Sequence, residues 1–461
     1  MTAGPTFRDL LDAAAKCCSK KNDASLFSLA LPLKSVDPLL QLPLLSSQEE
    51  FSCIWDTFPD FCFVATGKCQ HLELSGSRRF ELAQRFSDSV LGRLIDISQD
   101  VPTHALPKTL FAFSFFEETS ERKNNLVNAP AVQAVFPRWE LSSKGNNCWL
   151  RLNGVVTHEA EARELVETIW LMREDILNTK EIMYPMHIQS FSEILKDIKI
   201  EKSYLSVIQR GIDLVNQGEL KKLVLAAQKS ILLEKPLEPV SMLFRLRRSQ
   251  SSSCRFLWQR NTKQMFFGAS PERLLSISEG KLTIDALAGT GLFGAEGNDL
   301  LYSDKDRREH DLVVSSIMKQ LGNLELKAMS PDRPRITRHG KLLHLYTPIT
   351  ALTNLHRPLL LAETLHPTPA VAGLSRIEAM NWLRILEPFE RENYAAPIGW
   401  IDSNDNAELR VAIRSGKVTD QKLDLTAGAG LVRGSIAEKE LQEIELKLAV
   451  LADQLELQTI L

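Results

Sequence analysis

The sequence predicts an α+β fold, and three observations predict it. Strand-like and helix-like segments mix along the 461 residues without the strict βα alternation of a doubly wound sheet. The run Lys222-Leu-Val-Leu-Ala-Ala is an apolar strand of the kind buried on both faces. No low-complexity tract, Pro/Gly-rich linker or short-period repeat cuts the chain, whose length admits one large domain or two to three ordinary ones.

Residues 1–190 read as short strands and turns with a few helices. Ala134-Val-Phe-Pro-Arg-Trp-Glu-Leu, the Gly145-Asn-Asn turn and Cys148-Trp-Leu-Arg-Leu form a hairpin pattern, and a helix is expected over Glu159–Lys180. Lys202–Gln217 carries Leu205, Ile208, Ile212 and Val215 at helical spacing, with Gly218 as its stop. Beyond the Lys222 strand, strands are expected at Gln264–Ala269, Leu274–Ile277, Lys281–Ala286, Glu408–Arg414 and Lys422–Ala427. Helices are expected at Asp304–Leu321, Arg376–Leu386 and Glu438–Gln454.

Composition narrows the function. Hydrophobic residues at 44% and charged residues at 25% are ordinary for a soluble enzyme with a sizeable core. A net charge of −3 argues against nucleic acid or an acidic membrane as the main partner. The 7 cysteines form no CxxC or zinc-like spacing, which fits free thiols in a reducing cytoplasm. No apolar run approaches the ~18 residues that span a bilayer. The N-terminus lacks the charged and apolar regions of a signal peptide, so the cytoplasm is the expected location.

The chemistry concentrates towards the C-terminus. A small-residue loop, Ala427-Gly-Ala-Gly-Leu-Val-Arg-Gly-Ser435, leads into a helix whose Glu440, Glu443 and Lys447 fall within a ~60° arc beside an apolar stripe of Ile444, Leu448 and Leu451. Two half-buried acids and a base point to a divalent metal and an anionic ligand. Glu309 shares a helix face with Leu312, Val313 and Ser316, as an ion-paired structural residue or a metal ligand from a second helix. Oxygen ligands without cysteine or histidine favour Mg²⁺ over zinc. Lys222 heads an apolar strand, either as a solvated strand entry with Lys221 or as a desolvated base. Glu272, in a turn shaped by Gly268 and Pro271, reads as part of a helix N-cap or as a general acid. Ala286-Leu-Ala-Gly-Thr290 and Ala427-Gly-Ala-Gly430 let backbone approach an anion, but neither is a Walker loop or a dinucleotide fingerprint. Arg414 ends a Val-Ala-Ile-Arg strand where it could clamp a carboxylate. His344 reads as a satisfied core histidine or a site residue.

In order, these pieces resemble the chorismate-utilising enzymes. The blocks are Lys222-Leu-Val-Leu-Ala, Gly268-Ala-Ser-Pro-Glu-Arg-Leu, Ala288-Gly-Thr, Asp306-Arg-Arg-Glu-His, His366-Pro-Thr-Pro-Ala, Glu390-Arg391 with Tyr394, Ala412-Ile-Arg and Ala427-Gly-Ala-Gly. The resemblance implies one large domain over 1–461, with two stacked antiparallel sheets and helices outside. Residues 1–195 would be its variable part and 196–461 its catalytic part. Lysine at 222, Gly291 after the LAGT run and the Thr-Pro-Ala-Val-Ala-Gly run resemble the water-using isochorismate synthases of the menaquinone or phylloquinone type. Salicylate synthase, aminodeoxychorismate synthase and a non-catalytic chorismate-binding subunit are the alternatives. By resemblance Lys222 activates water and Glu272 protonates the leaving hydroxyl. Glu309 and Glu443 hold Mg²⁺, assisted by Lys447, Gly289 and Thr290. Arg414, Gly428 and Gly430 bind the pyruvyl carboxylate, and Tyr394 and His344 wall the ring. A monomer without a glutaminase subunit is expected.

Overall fold

The backbone is organised by hydrogen-bonded strands that run in two directions from one shared strand. In the computed structural model, residues 5–18, 24–118, 129–179, 200–233, 235–294, 300–354 and 356–455 are described. From Val132–Lys144, one run of antiparallel neighbours passes through Cys62–Leu74, Ser52–Asp56, Cys254–Asn261, Gln264–Ser270, Ser415–Thr419 and Lys422–Leu431 to Lys222–Leu232. A second leaves the same strand through Lys108–Phe113, Pro397–Asp402, Ala407–Val411, Arg273–Ser278 and Lys281–Leu292 to Leu342–Leu352. The two expected sheets are therefore one continuous network that divides at Val132–Lys144.

Asn147–Val156 and Ser25–Leu33 widen the network, and Ser25–Leu33 pairs in parallel with Leu94–Asp96. The predicted hairpin is present, with Lys144 opposite Asn147 and Gly145 at φ 59°. That positive φ is what a two-residue hairpin turn requires. The N-terminal strands are not short, however. Cys62–Leu74 and Val132–Lys144 each run for 13 residues, because both lie in the middle of the network with partners on both edges.

Helices cover the sheets. Tyr204–Asn216, Asp304–Asn323, Arg376–Leu386 and Ala437–Ala452 lie close to their expected positions. The Glu159–Asn178 helix also matches, although Lys180 lies outside the described residues. Ser303 caps the Asp304–Asn323 helix by accepting the Asp306 amide, and Asp304 and Asp306 suit its first turn. Gly218, at φ 83°, follows the Tyr204–Asn216 helix as the anticipated stop. Among the described residues no helix is long and apolar enough to cross a membrane.

Three expectations give way to tertiary structure. Ala427-Gly-Ala-Gly430 is strand, not loop, and the Lys281–Leu292 strand likewise continues through Ala288-Gly-Thr290. The strand expected over Glu408–Arg414 stops at Val411, and Ser415 begins another in the other run. No helix follows Ser270-Pro271-Glu272, because the chain enters the Arg273–Ser278 strand.

The N-terminal and C-terminal parts are joined by buried charge. Asp56, fully buried, accepts from Arg247 Nε at 2.8 Å and Arg255 Nη2 at 3.0 Å. Asp56→Ala would leave Arg247 only Asp37 as an acidic partner and Arg255 only backbone carbonyls, and breaking a buried ion pair costs about 3–5 kcal/mol. A clear fall in the thermal unfolding midpoint is expected, and a midpoint equal to wild type would show the network to be dispensable.

Candidate active site

Two segments cross from one sheet to the other side by side. Gln264–Ser270 belongs to the first run and Arg273–Ser278 to the second, so Pro271-Glu272 is the step between them. Ala407–Val411 and Ser415–Thr419 are split in the same way, which makes Ala412–Arg414 a second step. The steps are bonded together: the Ala269 amide donates to Arg414 O at 3.1 Å and the Val411 amide to Glu272 O at 3.1 Å. Ser270 Oγ donates to Val411 O at 2.6 Å. Gly268 serves close packing and not the turn itself, since a Cβ there would lie 2.8 Å from Arg414 O. Both corners deliver side chains, Glu272 and Arg414 among them, to one cleft.

Glu272 is buried, and its carboxyl is pushed up to about 8 by burial first and then by the charge of Asp285, against the opposing pull of Lys222 and Lys447. It is a protonated acid at neutral pH. Arg414, at φ 51°, is also buried, and burial lowers it to about 9. Its Nη2 donates to His344 Nε2, while Nη1 has no partner. His344 is held well below its ordinary value by burial and by Arg414, so its neutral ring donates Nδ1–H to Gly289 O at 2.9 Å. Gly289, at φ 73°, adopts the left-handed conformation and packs under Asp306.

Lys222 is fully buried at the head of its strand, with Nζ 2.9 Å from Glu309 Oε1. It is neither a solvated strand entry nor alone in its burial, since the structure puts an anion on it. Glu309 lines the cleft, and Lys222 sits behind it, outside the cleft wall. Gly430 makes the arrangement possible, since a Cβ there would lie 2.2 Å from Glu309 Oε1 and 3.1 Å from Lys222 Cε.

Lys447 Nζ bridges Glu443 Oε1 at 2.7 Å and Gly428 O at 2.8 Å. Burial raises Glu443, but Lys447 and Lys305 outweigh it and hold the carboxyl low, with a further bond from Thr290. Gly428 and Gly430 lie opposite Ala226 and Val224. The amide and carbonyl of Ala226 are taken by Glu387 and Tyr204, and those of Val224 by Ala372 and Arg391. The glycines are thus in non-hydrogen-bonded pairs and turn their own amides outward. On that side the pairing with Ser415–Thr419 ends at Thr426, which leaves the edge open.

The cleft therefore collects Glu272, Gly289, Thr290, Glu309, His344, Tyr394, Arg414, Gly428, Gly430, Glu443 and Lys447, with Lys222 behind Glu309. Glu440 is buried but salt-bridged to Lys305 at 2.5 Å and does not line the cleft. Two contributors escape sequence reasoning, Asp285, whose charge acts on Glu272, and Lys305; Arg391, read only as part of a motif block, is buried in a pair with Glu387 and donates to Val224 O and Val371 O.

Two carboxylates, Glu309 and Glu443, line the cleft, with buried Glu440 near Glu443. Burial lowers Lys305, yet Glu440, Glu443 and Glu309 together more than offset it and raise it to about 12. Among the described residues no group of three or more His, Cys, Asp or Glu is placed to hold a metal ion by itself. Two cleft carboxylates with open positions suit a cation that keeps waters and binds ligand oxygen. Arg414→Ala should weaken binding of a carboxylate ligand by about 10²-fold, because a charge-assisted bond to a buried guanidinium is lost. Titration calorimetry reads this, with exposed Arg163 as the control, and equal affinities would place the carboxylate elsewhere.

Comparison with known proteins meets this geometry from another direction. The isochorismate synthase MenF of Bacillus subtilis is 28% identical over 97% of this chain and 97% of its own length. That of Escherichia coli K12 is 30% identical over 70% of this chain and 75% of that protein. The salicylate biosynthesis isochorismate synthase of Pseudomonas aeruginosa is 38% identical over 54% of this chain, and the match spans about half (53%) of that relative. The solved structure of the menaquinone-specific isochorismate synthase MenF from Escherichia coli superposes with a TM-score of 0.75 and 25% identity, covering 97% of this chain and 99% of that one. The family described as chorismate binding enzyme matches residues 12–456, and the chain belongs to it.

Proposed function

We infer that the protein is an isochorismate synthase, an isomerase that moves the hydroxyl of chorismate from C4 to C2. The observation that carries the chemistry is Glu272, a buried carboxyl in the cleft wall held protonated to about 8. A leaving hydroxyl needs a proton donor at neutral pH, and an exposed glutamate would be ionised. Relatives named MenF isochorismate synthase, matched over most or nearly all of the chain, support the same reading.

In this reading Arg414, with its unpartnered Nη1, and the outward amides of Gly428 and Gly430 bind the pyruvyl carboxylate. Neutral His344 orients Arg414, and Tyr394 closes the wall beside Gly428. Once Glu309 has turned away and the Lys222 ammonium has released a proton to solvent, the free amine takes the proton from the water that attacks C2. Glu272 gives its proton to the C4 oxygen as that bond breaks. Glu309 and Glu443 would hold Mg²⁺, with Lys447 and Thr290 beside it, and the ion would neutralise the ring carboxylate. The product would feed menaquinone or phylloquinone synthesis in the cytoplasm.

Incubation with chorismate and Mg²⁺, followed by chromatographic separation, should give isochorismate as the main product. Salicylate, anthranilate or 4-amino-4-deoxychorismate in its place would refute the assignment. Glu309→Gln or Glu443→Gln should nearly abolish turnover, as should excess chelator. Full activity in chelator would remove the metal from the mechanism.

The pH dependence has a definite sign. Glu272 works in its protonated form, which is lost as pH rises through about 8. On this basis kcat/KM should fall on the alkaline side near that value. Glu272→Gln should eliminate turnover while leaving chorismate binding measurable.

A further inference from the structure

Behind the Pro271-Glu272 corner lies a second, polar cavity. Pro271 lines both this cavity and the cleft, so the corner is the wall between them. On the far side stands Asp285, buried in the Lys281–Leu292 strand and absent from the cleft. Its carboxylate is held in place. Oδ2 accepts the backbone amide of Arg273, the residue after Glu272, at 3.3 Å, and Oδ1 accepts Tyr346 Oη at 3.2 Å. The Arg273 guanidinium approaches at 3.8 Å.

We propose that Asp285 is a positioning residue for the reaction, an anion fixed behind the corner whose negative charge keeps Glu272 a proton donor. The inference rests on the isochorismate synthase reading and deepens it. Asp285 touches no cleft surface and acts only through Glu272.

The charges around Glu272 come from several elements. Lys222 approaches from its strand and Lys447 from the Ala437–Ala452 helix, and both favour the carboxylate. Asp285 is the acidic group acting on it, and Tyr394 stands within electrostatic range. Two ammonium groups would pull an isolated buried glutamate towards ionisation. A fixed anion opposes them, since a second negative charge beside it is costly. Arg273 and Arg410 are near enough to compensate Asp285, but Glu408 draws on both. Asp285 therefore keeps enough of its field to act through the wall.

The test compares Asp285→Asn and Asp285→Glu with wild type. With the anion gone, the alkaline limb of kcat/KM should move to lower pH by roughly one unit, the usual scale for losing a close like charge. Rates on the acid plateau should stay within a few-fold, and Asp285→Glu should keep the wild-type limb. A limb that does not move, or a uniform loss at every pH, would overturn the proposal and leave Asp285 a structural residue. In substrate-free protein, the carboxyl stretch that vanishes in Glu272→Gln should titrate at lower pH in Asp285→Asn, by difference infrared spectroscopy. That measurement needs no turnover, so it separates failure of this inference from failure of the functional assignment. Should Asp285→Asn not fold, Tyr346→Phe decides instead. It leaves the anion less compensated and should raise the limb, and an unmoved limb overturns the proposal.

Discussion

The site depends on one constraint: two neighbouring strands leave the same sheet together and enter the other. A hydrogen-bonded ladder cannot continue through such a switch, so both crossings need backbone partners outside the ladders. They find them in each other, through Ala269 to Arg414 O and Val411 to Glu272 O. Arg414 takes a positive φ at its crossing, a conformation that costs a non-glycine residue about 1–3 kcal/mol unless its surroundings enforce it. The same geometry projects Glu272 and Arg414 into one cleft. A protonated carboxyl and a buried guanidinium are thereby set by backbone, which is the stiffest way to set them.

Around the corners the cleft balances its charge locally. Lys222 pairs with Glu309 and Lys447 with Glu443, while Glu272 is neutral and His344 is neutral. Arg414 is left with an unpartnered guanidinium nitrogen in a buried place. Such a group is costly to leave alone, and it marks where an anion belongs. Glu309 has two claims on it, since it holds Lys222 and also lines the cleft with Glu443. This sharing couples the acid side of the cleft to the lysine, which cannot act as a base while its ammonium is tied to a carboxylate.

Two glycines illustrate how small residues carry this chemistry. Gly430 is needed for the space that Glu309 and Lys222 occupy, not for an unusual backbone angle. Gly289 does need its positive φ, and its carbonyl anchors the ring of His344. Both were legible as permissive backbone near an anion, but as turns. In the folded chain both lie within strands, Gly289 at an irregularity in the pairing and Gly430 opposite Val224.

Much of the architecture was present in local pattern. Helical periodicity located Tyr204–Asn216, Asp304–Asn323 and Ala437–Ala452, and the inward tilt of Glu309 and Glu443 followed from the spacing of their apolar neighbours. Those are properties of residues three and four apart, which a sequence displays directly. Ordered motif blocks likewise identified the family from the C-terminal half. What only the tertiary structure decided are relations across long separations. These include the strand break at Ala412–Arg414, the anion seated on Lys222, the glycine amides turned to an open edge and the Asp285 charge behind Glu272. Each depends on which strand lies beside which, and on how deeply a charge is removed from water. No local periodicity encodes either quantity.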